Sequence, residues 1–166
     1  MSDFFGELLA IQISDNAAEE MQQLDQIEAT EGAGLVGDRY ANLKGAFQKG
    51  TIQPSQQVTL IEQESIQAAN ADYKVQITHA ITRRNLLTSG VPLNHLVGKQ
   101  FCIGHVILKG IKLCEPCGYL NQHSGQDLLS ALRHRGGLRA EIVAGGKLRV
   151  GDLIRVTSSK GYAKSS

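Results

Sequence analysis

Glycine punctuation constrains this chain more than any other feature. Twelve of the 18 glycines fall in clusters: Gly32, Gly34 and Gly37; Gly45 and Gly50; Gly104 and Gly110; Gly136 and Gly137; Gly145, Gly146 and Gly151. Between them lie apolar runs of roughly five to eight residues, the pattern of strands separated by turns. No single strand of that length buries a core, and unpaired strand edges invite aggregation, so many short strands favour a closed sheet. The pattern predicts a mainly β, single-domain β-barrel with a few short helices on its rim. A length of 166 residues suits one domain with its own core. That domain is expected over residues 1–157, with 158–166 a polar C-terminal tail.

The strands read as Leu8–Ile13, Val58–Ile61, Asn85–Thr88, Phe101–Leu108, Ile111–Leu113 across a glycine turn, Leu138–Ala144 and Leu148–Thr157. Within the last, Val150-Gly151-Asp152 signals a turn or bulge. Helices are expected over Glu62–Ala71 and Gln126–Arg135, the latter the best amphipathic segment with Leu128, Leu129 and Leu132 on one side. Asn16–Leu24 has helical propensity but poor apolar periodicity. Strands and helices do not alternate as a doubly wound sheet requires. No G-x-G-x-x-G follows a strand and no Walker A sequence is present, which weakens dinucleotide and P-loop readings.

Charge narrows the partners. The net charge is +1, yet residues 1–38 hold nine of the 16 acids and no Lys or Arg, while residues 39–166 hold all 17 basic residues. Either the two regions pair in the fold, or some arginines line a site for a phosphorylated ligand. Aromatics are 5% with no Trp, so base stacking is poorly supplied and no nucleic-acid partner is expected. No apolar run reaches the roughly 20 residues that span a bilayer, so no membrane partner is expected. The acidic N-terminus lacks the basic start of a secretory signal, and three cysteines are too few for a disulfide scaffold. A cytoplasmic location follows as the expectation.

Four local patterns could carry chemistry. Cys114-Glu115-Pro116-Cys117 could be a redox dithiol, half of a zinc site, or a frame for one functional cysteine. Zinc would need further ligands, for which Cys102, His105 and His123 are available. A lone functional cysteine could be a nucleophile or ligate a softer metal. In Gly34-Leu35-Val36-Gly37-Asp38-Arg39-Tyr40, Asp38 could orient Arg39 toward an anion, or the two could form a surface ion pair. In Thr82-Arg83-Arg84-Asn85, adjacent arginines on a strand point to opposite faces, so at most one easily meets a pocket. Asn85 could bond a cofactor or cap a turn. Gly136-Gly137 reads as a helix stop before a strand that begins with Leu138-Arg139. His123 and His134 read as loop or helix-surface residues.

Taken in order, GLVGDRY, VTLIEQE, TRRNLLTSGVPLNHLVGKQFCIG, LCEPC and GLRAEIVAGGKLRVGD strongly resemble a stand-alone MOSC domain, the molybdenum cofactor sulfurase C-terminal domain. The resemblance runs from about Gly6 to Thr157. It implies a β-barrel of the MOSC or pyruvate kinase type, built of mostly antiparallel strands, with Asn16–Leu24 as loop and strand. It implies binding of the molybdenum cofactor, a molybdopterin with a phosphate tail, or sulfur transfer to it. Cys117 would ligate molybdenum or carry sulfur, with Cys114 as an accessory. Asp38, Arg39, Arg83, Arg84, Asn85 and Arg139 would contact the cofactor. The implied activities are reduction of N-hydroxylated compounds with electrons from a flavin or iron-sulfur protein, sulfur transfer fed by a cysteine desulfurase, or non-catalytic carriage of cofactor or sulfur. A small zinc or dithiol protein using Cys114 and Cys117 is the remaining alternative.

Overall fold

A computed structural model describes residues 3–17, 19–45 and 50–156. The expected tail, 158–166, lies outside the described residues. The chain forms strands β1 (Phe4–Ile13), β2 (Gln22–Leu24), β3 (Gln26–Thr30), β4 (Gly34–Leu35) and β5 (Val58–Glu62), then helices α1 (Gln63–Tyr73) and α2 (His79–Thr82). Strands β6 (Leu86–Ser89), β7 (Gln100–Ile103) and β8 (Val106–Leu113) follow, then helices α3 (Gly118–Ser124) and α4 (Leu128–Ala131). The order ends with β9 (Leu138–Ala144), β10 (Gly146–Arg149) and β11 (Leu153–Val156).

Seven strands close a mixed barrel in the order β1-β11-β7-β8-β9-β5-β6, with β6 returning to β1. Every junction is antiparallel except β5–β6. Parallel neighbours need a crossover, and α1 with α2 supplies it. The long β1 serves two partners, pairing β11 over Phe4–Glu7 and β6 over Glu7–Ile11. A small second sheet, β10-β3-β4, flanks the barrel.

Alternation explains the interior. On β9, Leu138, Ala140 and Ile142 are buried while Arg139, Glu141 and Val143 are only half-buried. Leu8, Ile11, Leu60, Leu86, Phe101, Ile103 and Leu108 join them in the core. Each fully buried side chain contributes roughly 1.5–3 kcal/mol. Strand β5 is buried on both faces because Ile61 looks outward into a second cluster with Ile66, Leu120, Leu128 and Leu132. That cluster seats the helices on one side of the barrel.

Three expectations are corrected. The glycine turn between the strands around residue 105 falls at Gly104-His105, not Gly110, and Gly110 lies inside β8. Gly104 takes the left-handed turn conformation at φ +58°, whereas a Cβ on Gly110 would sit 2.1 Å from the Leu96 carbonyl oxygen. Close backbone approach, not turning, requires that glycine. The segment expected as the best helix shrinks to α4, four residues capped by the Asp127 side chain, and α1 is the longest helix among the described residues. Leu148–Thr157 divides at Val150-Gly151-Asp152 into β10 and β11, which belong to different sheets. Asn16–Leu24 has no helix among its described residues and ends in β2, as the resemblance implied. No helix among the described residues is long and apolar enough to cross a membrane.

Candidate functional site

The segment after β4, the end of α2, the 114–117 loop between β8 and α3, and the start of β9 converge on a cavity of about 300 Å³. Its wall carries Arg39, Arg83, Arg84, Lys112, Arg139 and the half-buried Cys117. Tyr40, Tyr119, Ser55 and Gln56 add polar groups to the lining. No Asp or Glu lines it among the described residues.

Asp38 stands behind this wall, fully buried. Its Oδ1 accepts from Ser14 N at 3.2 Å and Arg39 Nη1 at 3.2 Å, and its Oδ2 accepts from Tyr40 N at 3.3 Å. Burial pushes the Asp38 carboxyl above its ordinary value, and the Arg39 charge and backbone donors offset only part of that. Arg39 is thereby fixed, with Nη2 donating to the Arg83 carbonyl at 2.9 Å and its guanidinium 4.5 Å from the Tyr40 ring centroid. The D-R pair is therefore interior, not a surface ion pair.

Arg83 and Arg84 both line the cavity, against the opposite-faces expectation. The two-residue period of a strand does not apply, because Arg83 caps α2 in the left-handed region at φ +58°. Arg83 donates to the carbonyls of Glu19 at 2.5 Å and Asn16 at 3.3 Å. Burial and the nearby Arg39 charge lower its pKa. Arg84 is held by a different set of carbonyls. Its Nη2 donates to Cys114 O at 2.8 Å, Nε to Gly136 O at 2.8 Å and Nη1 to Thr82 O at 3.1 Å.

Asn85 is fully buried and does not line the cavity. Its Oδ1 accepts from Thr59 N at 3.0 Å, and its Nδ2 donates to Gln12 O at 3.2 Å, tying β6 to β5 and β1. Arg139 donates from Nη1 to Ser55 O at 3.2 Å and hydrogen-bonds Tyr40. Burial works against its charge, but the Cys114 thiol and Tyr40, with Cys117 behind them, hold its pKa above the ordinary value.

The two loop cysteines differ. Cys114 is 1% exposed, while Cys117 opens on the cavity. Residues 114–117 contain no turn. Cys102 sits on β7 opposite Ile107 and Arg155, away from the cavity lining. Among the described residues no group of three or more His, Cys, Asp or Glu could hold a metal ion. The His123 side chain lies outside the described residues. His134 is an exposed surface residue, with Nδ1 2.9 Å from Glu115 Oε2.

Sequence reasoning missed Lys112, Tyr40 and Tyr119. Lys112 was hidden by the misplaced turn: with Gly110 inside β8, Lys112 falls opposite Arg139. Tyr119 was hidden because its hydroxyl donates to the Ala17 carbonyl, a partner remote in sequence.

The chain and fold have relatives. A family model described as MOSC domain matches residues 47–155. No curated relative matches the sequence. The fold is similar to that of the YuaD protein from Bacillus subtilis, with 19% identity, TM-score 0.77, and coverage of 93% of this chain and 96% of that one. It is similar also to YiiM from Geobacillus stearothermophilus, at 12% identity and TM-score 0.69 over 94% and 77% of the two chains. YiiM from Escherichia coli gives 19% identity and TM-score 0.63 over 97% and 73%.

Proposed function

Because this chain belongs to the MOSC domain family, which is associated with molybdenum cofactor binding, we propose that its cation-lined cavity holds that cofactor with Cys117 as the metal's protein ligand. The observation that carries this reading is a single accessible thiol facing a wall of five cationic side chains, with no carboxylate in the lining among the described residues. A thiolate is a soft donor suited to molybdenum, and guanidinium groups suit an anionic phosphate tail, so the residues present fit the group. When bound, the cofactor supplies two-electron oxygen-atom chemistry.

The activity we assign is reduction of N-hydroxylated compounds: the N–O bond breaks, two electrons and two protons enter, and amine and water leave. Electrons would come from a flavin or iron-sulfur protein. The chain's own residues hold and orient. Arg39, Arg83 and Arg139 present donors to the anionic ligand, and Asp38 fixes Arg39. Arg84 holds the backbone that carries Cys117. Asn85 acts through the barrel wall and not by contact with the ligand.

A second reading, sulfur transfer or carriage, has Cys117 take a persulfide from a cysteine desulfurase. The half-exposure of Cys117 favours it, since an accessible thiol can meet a donor protein. The zinc or dithiol reading has less support, because Cys114 is buried in a loop without a turn and no third ligand is near among the described residues.

Elemental analysis of protein from a cofactor-competent host, beside Cys117→Ser, tests the reading. Near-stoichiometric molybdenum that the substitution removes is the expected result. Zinc retained through Cys114 and Cys117 would overturn it. Neither metal, with a persulfide on Cys117, would favour the sulfur carrier.

A further inference from the structure

Strands β8 and β9 pair with an irregularity whose consequence is chemical. Gly110 is opposite Ala140, but the next pairs are Lys112 with Arg139 and Leu113 with Leu138. Ile111 is the extra residue, a β-bulge. In regular register Ile111 would face Arg139, and Lys112 would lie opposite the core residue Leu138. The bulge instead brings two cations into direct cross-strand apposition. Like charges in that position are destabilising. Bulges of this kind re-aim side chains beside functional sites.

Among the described residues no carboxylate pairs with either cation. Both residues line the cavity, and its lining holds no acid among the described residues. Arg139 meets the Ser55 carbonyl and Tyr40, which orient it without cancelling its charge. The Lys112 side chain is exposed, with no hydrogen bond or ion pair among the described residues. Lys112 also lies outside the residues that the family resemblance implied.

We propose that Lys112 and Arg139 form a two-cation clamp that selects a doubly charged, tetrahedral anionic group over a singly charged one, with Lys112 as the specificity-determining residue. The clamp rests on reading this cavity as a ligand site, but not on what Cys117 binds. A dianion bridging the two cations relieves their repulsion as well as gaining charge-assisted hydrogen bonds. A monoanion neutralises only one. The empty clamp lowers the stability of the free protein, and the same repulsion is the source of the charge preference.

Sulfate and methanesulfonate share tetrahedral oxygen geometry and differ in charge, so they are the probes. Titrations at constant ionic strength and low millimolar concentration avoid the general stabilisation that sulfate gives at high concentration. The wild-type protein is expected to bind sulfate about tenfold more tightly than methanesulfonate, the scale of one charged hydrogen bond. Lys112→Gln is expected to erase that preference and at the same time to raise the thermal midpoint of the free protein. Lys112→Arg should restore the preference, and Lys147→Gln, an exposed lysine on β10, should change neither. A preference that survives Lys112→Gln overturns the clamp, and so does a lowered midpoint for the free variant. Cys117→Ser separates this proposal from the cofactor reading: it should lose molybdenum yet keep the sulfate preference.

Discussion

Arg84 Nη2 donates to the carbonyl oxygen of Cys114 at 2.8 Å, so a guanidinium buried beside the cavity wall holds the backbone that carries the cysteine loop. The same side chain bonds Gly136 O from Nε at 2.8 Å, joining that loop to the start of β9. Removing it takes a donor from both of these acceptors and from Thr82 O, each loss costing roughly 1–3 kcal/mol where the acceptor stays buried. Arg84→Ala is therefore expected to destabilise the fold by about 3 kcal/mol, read as a lower urea midpoint. Arg84→Lys should recover part of this, because an ammonium can meet one carbonyl but not both in the guanidinium geometry. A variant as stable as the wild type would mean that the loop is held by other contacts.

Acid sensitivity has a specific source in His79. Burial drives its pKa from the ordinary 6.5 down to about 4, which the neighbouring Arg84 backbone opposes only in part. Both ring nitrogens lie buried without a hydrogen-bond partner among the described residues. Between those two values the unfolded chain binds the proton and the folded chain does not. Stability is complete above the unfolded value and falls as the pH drops through this window, by on the order of 3 kcal/mol. Asp38 and Glu62 work in the opposite sense, since burial raises both carboxyls. The difference between wild type and His79→Leu isolates the histidine. The wild type should lose stability relative to the variant on going from pH 6.5 to 4, measured by urea unfolding. Parallel curves would refute the assignment.

How much of this was legible in the sequence depended on how local each cause was. The barrel strands were readable because alternation is a property of consecutive residues: Leu138, Ala140 and Ile142 announce one face of β9 without any partner. The family motifs marked Cys117, Arg39, Arg83, Arg84 and Arg139, and the structure brings all five to one cavity. Asp38 and Asn85 were marked by the same motifs but lie behind the wall, where they fix Arg39 and the β5–β6 junction. Sequence does not distinguish a residue that touches a ligand from one that holds its neighbour. Lys112 was illegible because its placement depends on a bulge, and a bulge depends on the partner strand. The expected helix over Gln126–Arg135 failed for a similar reason. Leu128 and Leu132 do pack, but against Ile61 and Ile66 as a compact turn, so their burial needs no long helix.

Gly110 offers a direct check on the corrected register. If it were a turn residue in open space, alanine would be tolerated at moderate cost. In the observed structure a Cβ would stand 2.1 Å from Leu96 O and 2.8 Å from Leu96 C, both backbone atoms. Backbone cannot rotate away as a side chain can, so the segment at Leu96 must move away from β8. The Gly98 N–H to Gly110 O bond of 2.8 Å would be strained at the same time. Gly110→Ala is expected to cost more than about 3 kcal/mol, appearing as a large fall in thermal midpoint or loss of soluble protein. Gly98→Ala has no atom within 4 Å of its added Cβ and meets only the penalty of its φ of +79°. It should be the milder of the two, and the reverse order would contradict the register.

The cysteines can be told apart without any cofactor. Alkylation needs a thiolate and room for the reagent, and only Cys117 opens on the cavity. Cys114 is 1% exposed beneath the loop and Cys102 is 4% exposed on β7. Burial raises the Cys102 thiol pKa, which Arg155 lowers only in part, so its thiolate is scarce as well as covered. Native protein treated with excess iodoacetamide should therefore take up one equivalent rapidly, at Cys117. The other two sites should follow only at the rate of unfolding, and all three should react in urea. Because Lys112 and Arg139 line the same cavity as Cys117, charge should matter as well. Iodoacetate, an anion, is expected to outpace neutral iodoacetamide relative to their ratio with a free thiol, and sulfate should suppress that advantage. Rapid uptake of two equivalents would mean that Cys114 is reachable and would reopen the dithiol reading.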